Sequence, residues 1–268
     1  MKKYFSNRYR LIALLAFFSI VLLYVWTYAF APFTEFANSV FVNGATVLSA
    51  LIVSLILTRI TFYFQIKEPP YMIWAAFAMC MWLWTIAEAV WGYLYTTAGE
   101  VPVFTAADVL WVLGYIALTV SIIRQYRLVF FGQKYAIRWA AIGVWLGIIL
   151  SIETILLATK SEAPLEDFFR YFYLFADVAV GLSGFYLVYA FRGRTLAAPW
   201  LTISSFAVTD FLYIQLTTSG VYDYVMSGVS IGMLADTLYL VAYFIVAWGA
   251  LEQYILLRTN SHHTEAES

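Results

Sequence analysis

The sequence predicts an all-helical polytopic membrane protein, on three observations. Hydrophobic residues make up 63% of the 268 positions and charged residues only 12%, against roughly 25% charged in an average globular chain. So few charges do not cover a water-facing surface. Apolar runs of about 20 residues, the length that crosses a bilayer core, recur eight times. The 15 Lys and Arg residues gather on alternate connections between these runs, the bias that orients membrane helices.

Taken in order, the expected spans are about 11–32, 40–64, 71–95, 106–123, 137–158, 168–191, 199–218 and 230–256. The first follows a basic start (Lys2, Lys3, Arg8, Arg10). Its end, Ala29-Phe30-Ala31, also resembles a signal-peptide cleavage site, but the apolar run is long for one, and retention is expected. All six prolines (Pro32, Pro69, Pro70, Pro102, Pro164, Pro199) fall at span ends or in loops. The third and fourth spans carry Glu88 and Asp108, with Arg124 at the far boundary of the fourth. The fifth carries Glu153 and the small-residue pair Gly143/Gly147; the sixth carries Asp177 with Gly181/Gly184. Such glycines predict close helix packing. The seventh holds Asp210, and the eighth holds Asp236 with Glu252 at its boundary.

With the N-terminus inside, 13 basic residues (Lys2, Lys3, Arg8, Arg10, Arg59, Lys67, Arg124, Arg127, Lys134, Arg138, Arg192, Arg194, Arg258) lie inside and two (Lys160, Arg170) outside. Both termini are therefore expected in the cytoplasm, in a multi-pass protein of the plasma membrane. Residues 1–260 read as a single transmembrane domain and 261–268 as a polar tail, with short connections throughout.

Ionisable residues inside spans are rare and face a protein interior or a wet cavity. Four of the acids share a pattern. Glu88 is followed by Trp91 and Tyr95, Asp108 by Trp111 and Tyr115, Asp210 by Tyr213 and Thr217, and Asp236 by Tyr239 and Tyr243. Offsets of three and seven share one helical face. The pattern relates the third span to the seventh and the fourth to the eighth. It predicts two parallel four-helix halves, 1–134 and 135–260, about an axis along the membrane normal. Asp177 and Glu153 stand outside it.

From this follows a candidate ligand pocket between the third, fourth, seventh and eighth spans, opening outward. Its expected walls are Glu88, Trp91, Asp108, Trp111, Tyr115, Asp210, Tyr213, Asp236, Tyr239 and Tyr243. Carboxylates beside aromatic faces suit a small cation; protonated, the same acids suit an uncharged apolar ligand. The alternative is that each acid is an ordinary interhelical hydrogen-bond partner, worth on average about 0.6 kcal/mol, with no shared cavity.

Several chemistries are excluded. The only histidines, His262 and His263, lie in the tail, so no histidine-ligated haem, copper or zinc sits within the membrane. The five lysines (Lys2, Lys3, Lys67, Lys134, Lys160) avoid span centres, which excludes a retinal Schiff base. No cofactor is expected. A single cysteine, Cys80, excludes an intrachain disulfide, and a net charge of −1 gives no footprint for nucleic acid.

The stretch Pro102-Val103-Phe104-Thr105-Ala106-Ala107-Asp108-Val109-Leu110-Trp111-Val112-Leu113-Gly114-Tyr115 resembles a segment of multi-helix membrane sensor regions that precede diguanylate cyclase, phosphodiesterase and histidine kinase modules. Ala235-Asp236-Thr237-Leu238-Tyr239-Leu240-Val241-Ala242-Tyr243 is similar to a second copy. The two segments cover about a tenth of the chain. The resemblance implies a membrane-embedded sensor. With only about ten residues after the last span, an output module is expected on a separate partner. The function expected is thus a non-enzymatic sensory or ligand-binding subunit, in the bilayer beside a protein partner or as an oligomer. A proton- or cation-coupled transporter and a structural subunit of a membrane complex are the alternatives.

Overall fold

The computed structural model describes residues 2–99, 102, 104–129, 143, 147, 164–191, 195–222, 224–226 and 229–266. Seven long helices run through them: α1 (Lys2–Phe30), α2 (Glu35–Thr61), α3 (Pro69–Ala98), α4 (Ala106–Val129), α5 (Pro164–Ala190), α6 (Ala198–Thr218) and α7 (Ile231–Ala266). Six are long and apolar enough to cross a membrane; the polar-dotted α6 falls below that composition. A two-residue hairpin, Val225–Met226 paired antiparallel with Val229–Ser230, precedes α7. The predicted fifth span lies outside the described residues except for Gly143 and Gly147, and Glu153 lies there too. The eighth span is the start of a longer helix. α7 continues through Ala266, so most of the stretch read as a polar tail is helical.

Local chemistry sets the helix ends. Pro69 and Pro70 occupy the first turn of α3, and Pro199 that of α6, where a missing N–H costs nothing. Thr34 caps α2 by accepting from the Ala37 amide at 3.3 Å. Gly99 closes α3 in the left-handed region at φ 74°, which glycine adopts without strain. α1 ends instead on Ala31 at φ 41°, just before Pro32.

Helices α2 through α7 close a ring in chain order, α7 returning to α2, while α1 packs outside against α2 and α7. Polar side chains are buried among an apolar core, while large apolar side chains cover the outside. Ser49, Ser54, Glu88, Ser121, Asp177 and Ser204 are buried, whereas Leu22, Leu55, Met79 and Ile116 are each about half or more exposed. That apolar exterior is what a lipid-facing surface requires.

Close packing follows small residues. Gly114 lets the Trp84 indole lie on α4, where its N–H donates to the Trp111 carbonyl at 3.2 Å. Gly181 and Gly184 face Ala207 and Ser204 of α6, and Gly147 faces Val178 and Leu182 of α5. Gly143 meets nothing nearby. Hydroxyls add cross-helix bonds, such as Ser54 with Thr85 at 2.9 Å and Ser121 to the Ile73 carbonyl at 2.8 Å. The two boundary charges on α1 and α7 also meet. Arg10 donates twice to Glu252, at 2.7 and 2.6 Å.

In the half of the ring nearer the α3 and α6 N-termini, the axis is filled. Trp74, Phe77 and Trp200 stack there with ring centroids 6.0–6.5 Å apart, beside the fully buried Ile73, Leu118 and Ile203. A turn or two further along, Trp84 stacks on Phe206 at 5.0 Å. Above that layer the ring is hollow.

Candidate functional site: an acidic, aromatic cavity

The hollow is a cavity of about 990 Å³ whose mouth lies among Ala31, Phe33, Glu35 and Gly99, at the α1–α2 and α3–α4 connections. The inner faces of the ring build it. Eight of the ten expected residues line it: Glu88, Trp91, Trp111, Tyr115, Asp210, Tyr213, Asp236 and Tyr239.

Asp108 and Tyr243 do not line it. Asp108 sits at the start of α4, where its Oδ2 accepts from the Thr105 amide at 2.8 Å and the Thr105 hydroxyl at 3.1 Å. Thr105 Oγ1 in turn accepts from the Ala107 amide at 3.1 Å. This reciprocal arrangement is a capping box. The other oxygen of Asp108 takes the Tyr173 hydroxyl of α5 at 3.0 Å, so this carboxylate is consumed by local structure. Tyr243, fully buried behind the wall, donates to Glu88 at 2.7 Å.

The acids are served by tyrosines of other helices rather than by the aromatics that follow them in sequence. Glu88 Oε1 accepts from Tyr239 at 2.9 Å and from Tyr243 at 2.7 Å, both on α7. Asp236 accepts from Tyr28 of α1 at 2.6 Å and from Tyr222 at 2.7 Å. Burial, followed by the neighbouring Tyr213 and Asp236, pushes the Tyr222 hydroxyl well above the ordinary phenol range, so it remains a donor. The Tyr115 hydroxyl lies 3.0 Å from Asp210 Oδ2 and 2.5 Å from Asp177 Oδ1.

The expected pocket also lacked a wall. Tyr24, Thr27 and Tyr28 of α1, Ser39, Asn43 and Thr46 of α2, and Tyr173 of α5 all line the cavity. Ser39 and Asn43 hydrogen-bond to Thr96 of α3 at 2.8 and 3.2 Å. The polar stripe at 39, 43 and 46, on one helical face, was readable in the sequence as an inward-facing surface. Asp177, outside the acid–aromatic pattern, reaches the site only through Tyr115 and Asp210.

Among the described residues, four carboxylates and 14 aromatic side chains line the cavity, and no Lys, Arg or His does. The indole N–H of Trp111 is buried in this wall, where it interacts with Glu88. No group of three or more metal-ligating side chains converges among the described residues. The chemistry such a wall offers is hydrogen bonding, charge attraction and ring contact, with no nucleophile activated by a base. The chain matches no protein-family model, no curated protein and no solved structure.

Proposed function

We propose that this protein is a non-enzymatic membrane receptor that binds a small molecule in the acidic, aromatic cavity and acts as a sensing subunit beside a partner. The cavity carries the reading. At about 990 Å³ it has the size of a small-molecule site, and at its inner end it is lined by the stacked Trp84 and Phe206, with the Trp74, Phe77 and Trp200 cluster packed beyond them. That floor favours a binder over a conduit. The resemblance of 102–115 and 235–243 to sensor segments points the same way. The basic residues orient the mouth toward the outside and both termini toward the cytoplasm.

The architecture belonging to this reading is eight spans in two parallel halves. Ring order supports it, because α3 stands opposite α6 and α4 opposite α7. Exchanged contacts support it further. Tyr243 of α7 reaches Glu88 of α3 at 2.7 Å, as Tyr115 of α4 reaches Asp210 of α6 at 3.0 Å. Trp84 meets Tyr115 at 5.1 Å, as Phe206 meets Tyr243 at 4.9 Å.

The test is a thermal-shift screen of the detergent-solubilised protein with small organic cations, anions and neutral compounds. A stabilising class is expected, whose effect disappears when Thr46→Trp fills the cavity. No stabilisation by any class, or gradient-driven uptake of a stabilising compound into liposomes, overturns the proposal. In a Cys80→Ala background, a cysteine at Phe33 should label from outside and one at Lys67 only from inside.

A further inference from the structure

Three groups meet behind the cavity wall: Tyr115 of α4, Asp177 of α5 and Asp210 of α6. The Tyr115 hydroxyl touches both carboxyls, at 2.5 Å from Asp177 Oδ1 and 3.0 Å from Asp210 Oδ2, and so holds the two acids side by side. Asp177 is 2% exposed, and its Oδ2 has no N–H or hydroxyl donor in reach.

Counting hydrogens settles the charge. Two carboxyls contact one hydroxyl oxygen, yet with both carboxylates ionised the only hydrogen is that of Tyr115. The hydroxyl donates to one carboxylate, and the second contact requires a proton on the other carboxyl, which then donates to the phenol oxygen. One proton is therefore shared, as it is wherever two buried carboxylates stand together without a cation. Among the described residues, every titratable group facing the pair is an acid or a phenol: Glu88 from α3, Tyr115 from α4, Tyr173 from α5, Tyr213 from α6, and Tyr239 and Tyr243 from α7. Among the described residues, that proton is the one positive charge at the site.

Asp210 lines the cavity and Asp177 lies behind it. Glu88 lines the same wall, near enough for its charge to interact with that of Asp210. Around them stand ring faces such as Trp91 and Tyr213, which attract an ammonium.

Resting on the cavity reading above, we propose that the ligand is a small organic monocation, an aromatic or alkyl ammonium, which binds against Asp210 and Glu88 and displaces the proton shared by Asp177 and Asp210 into the surrounding water. The charge balances: one ammonium enters, one proton leaves, and the Asp177–Asp210 pair goes from one negative charge to two. Reciprocity then requires that affinity fall with pH, up to tenfold per unit once the pair is protonated.

Isothermal titration calorimetry with phenethylammonium, in buffers of low and high ionisation enthalpy, tests this. About one proton released per ammonium bound is expected. Asp177→Asn should reduce that release to near zero and keep affinity within about threefold, because the amide supplies the bridging hydrogen in place of the proton. The neutral analogue 2-phenylethanol should bind at least tenfold more weakly. Tight binding of 2-phenylethanol without proton release, abolished by Thr46→Trp, overturns the cation and keeps the receptor. Ammonium binding with no proton release, or with undiminished release in Asp177→Asn, overturns the exchange. Absence of binding by every charge class overturns both.

Discussion

Tyr115 is the most informative single side chain to alter, because one hydroxyl serves two carboxyls. Tyr115→Phe removes that oxygen and keeps the ring that packs on Trp84 at 5.1 Å and on Phe172 at 5.9 Å. The two contacts share one hydrogen, so the loss counts as one charge-assisted bond, about 1.5–3 kcal/mol by soluble-protein measurements. Membrane proteins give less, on average about 0.6 kcal/mol per interhelical bond, because the alternative state also finds partners. In the variant the proton held by the pair can bridge Asp177 and Asp210 directly, which trims the upper figure to about 2 kcal/mol. For a chain this long that is a fall in Tm of roughly 4 °C or somewhat more. Tyr243→Phe is the matched comparison. Glu88 retains Tyr239 at 2.9 Å, so its cost is expected at about 0.6 kcal/mol, near 2 °C. A thiol-reactive fluorophore reads both. The lone cysteine, Cys80, is fully buried and reacts only on unfolding. The Tyr115 deficit should be larger at pH 8 than at pH 5, since protonated carboxyls supply their own donors. An equal or larger loss in Tyr243→Phe, or a Tyr115 deficit that grows toward pH 5, refutes the shared-proton account.

Other outcomes follow from the packing. Gly114→Ala sets a methyl group into the Trp84 indole, displacing a buried side chain; a loss of about 1–3 kcal/mol is expected in the same thermal assay. Gly44→Ala, on a helix position with nothing within 4 Å, should instead gain about 0.5–1 kcal/mol. Ala31→Gly relieves a left-handed backbone at φ 41° and should raise stability by about 0.5–1 kcal/mol, with a circular-dichroism melt as the check. Asp108→Asn weakens the α4 cap by roughly 0.5–2 kcal/mol, yet leaves ligand affinity unchanged, whereas Asp236→Asn should alter it. An affinity change in Asp108→Asn contradicts its assignment to the cap.

The sequence by itself determined six of the apolar spans and most of their ends, because these depend on local composition. A run of apolar residues, a proline in a first turn or a left-handed glycine such as Gly99 acts through its immediate neighbours. The acid–aromatic spacing was legible for the same reason: offsets of three and seven are properties of one helix. The Thr105-to-Asp108 capping box depends only on local spacing too, and it competes with the acid–aromatic periodicity for Asp108. What only the tertiary structure decided was which tyrosine serves which acid. Tyr243 follows Asp236 in sequence and donates to Glu88; Tyr115 follows Asp108 and touches Asp177 and Asp210. The α1 and α2 wall and the role of Asp177 emerged in the same way. A helix's rotation and its neighbours are set by many weak contacts at once, such as Gly114 against Trp84 or Gly184 against Ser204. No single position carries that information. Buried acids announce that partners exist, and only the closed ring selects them.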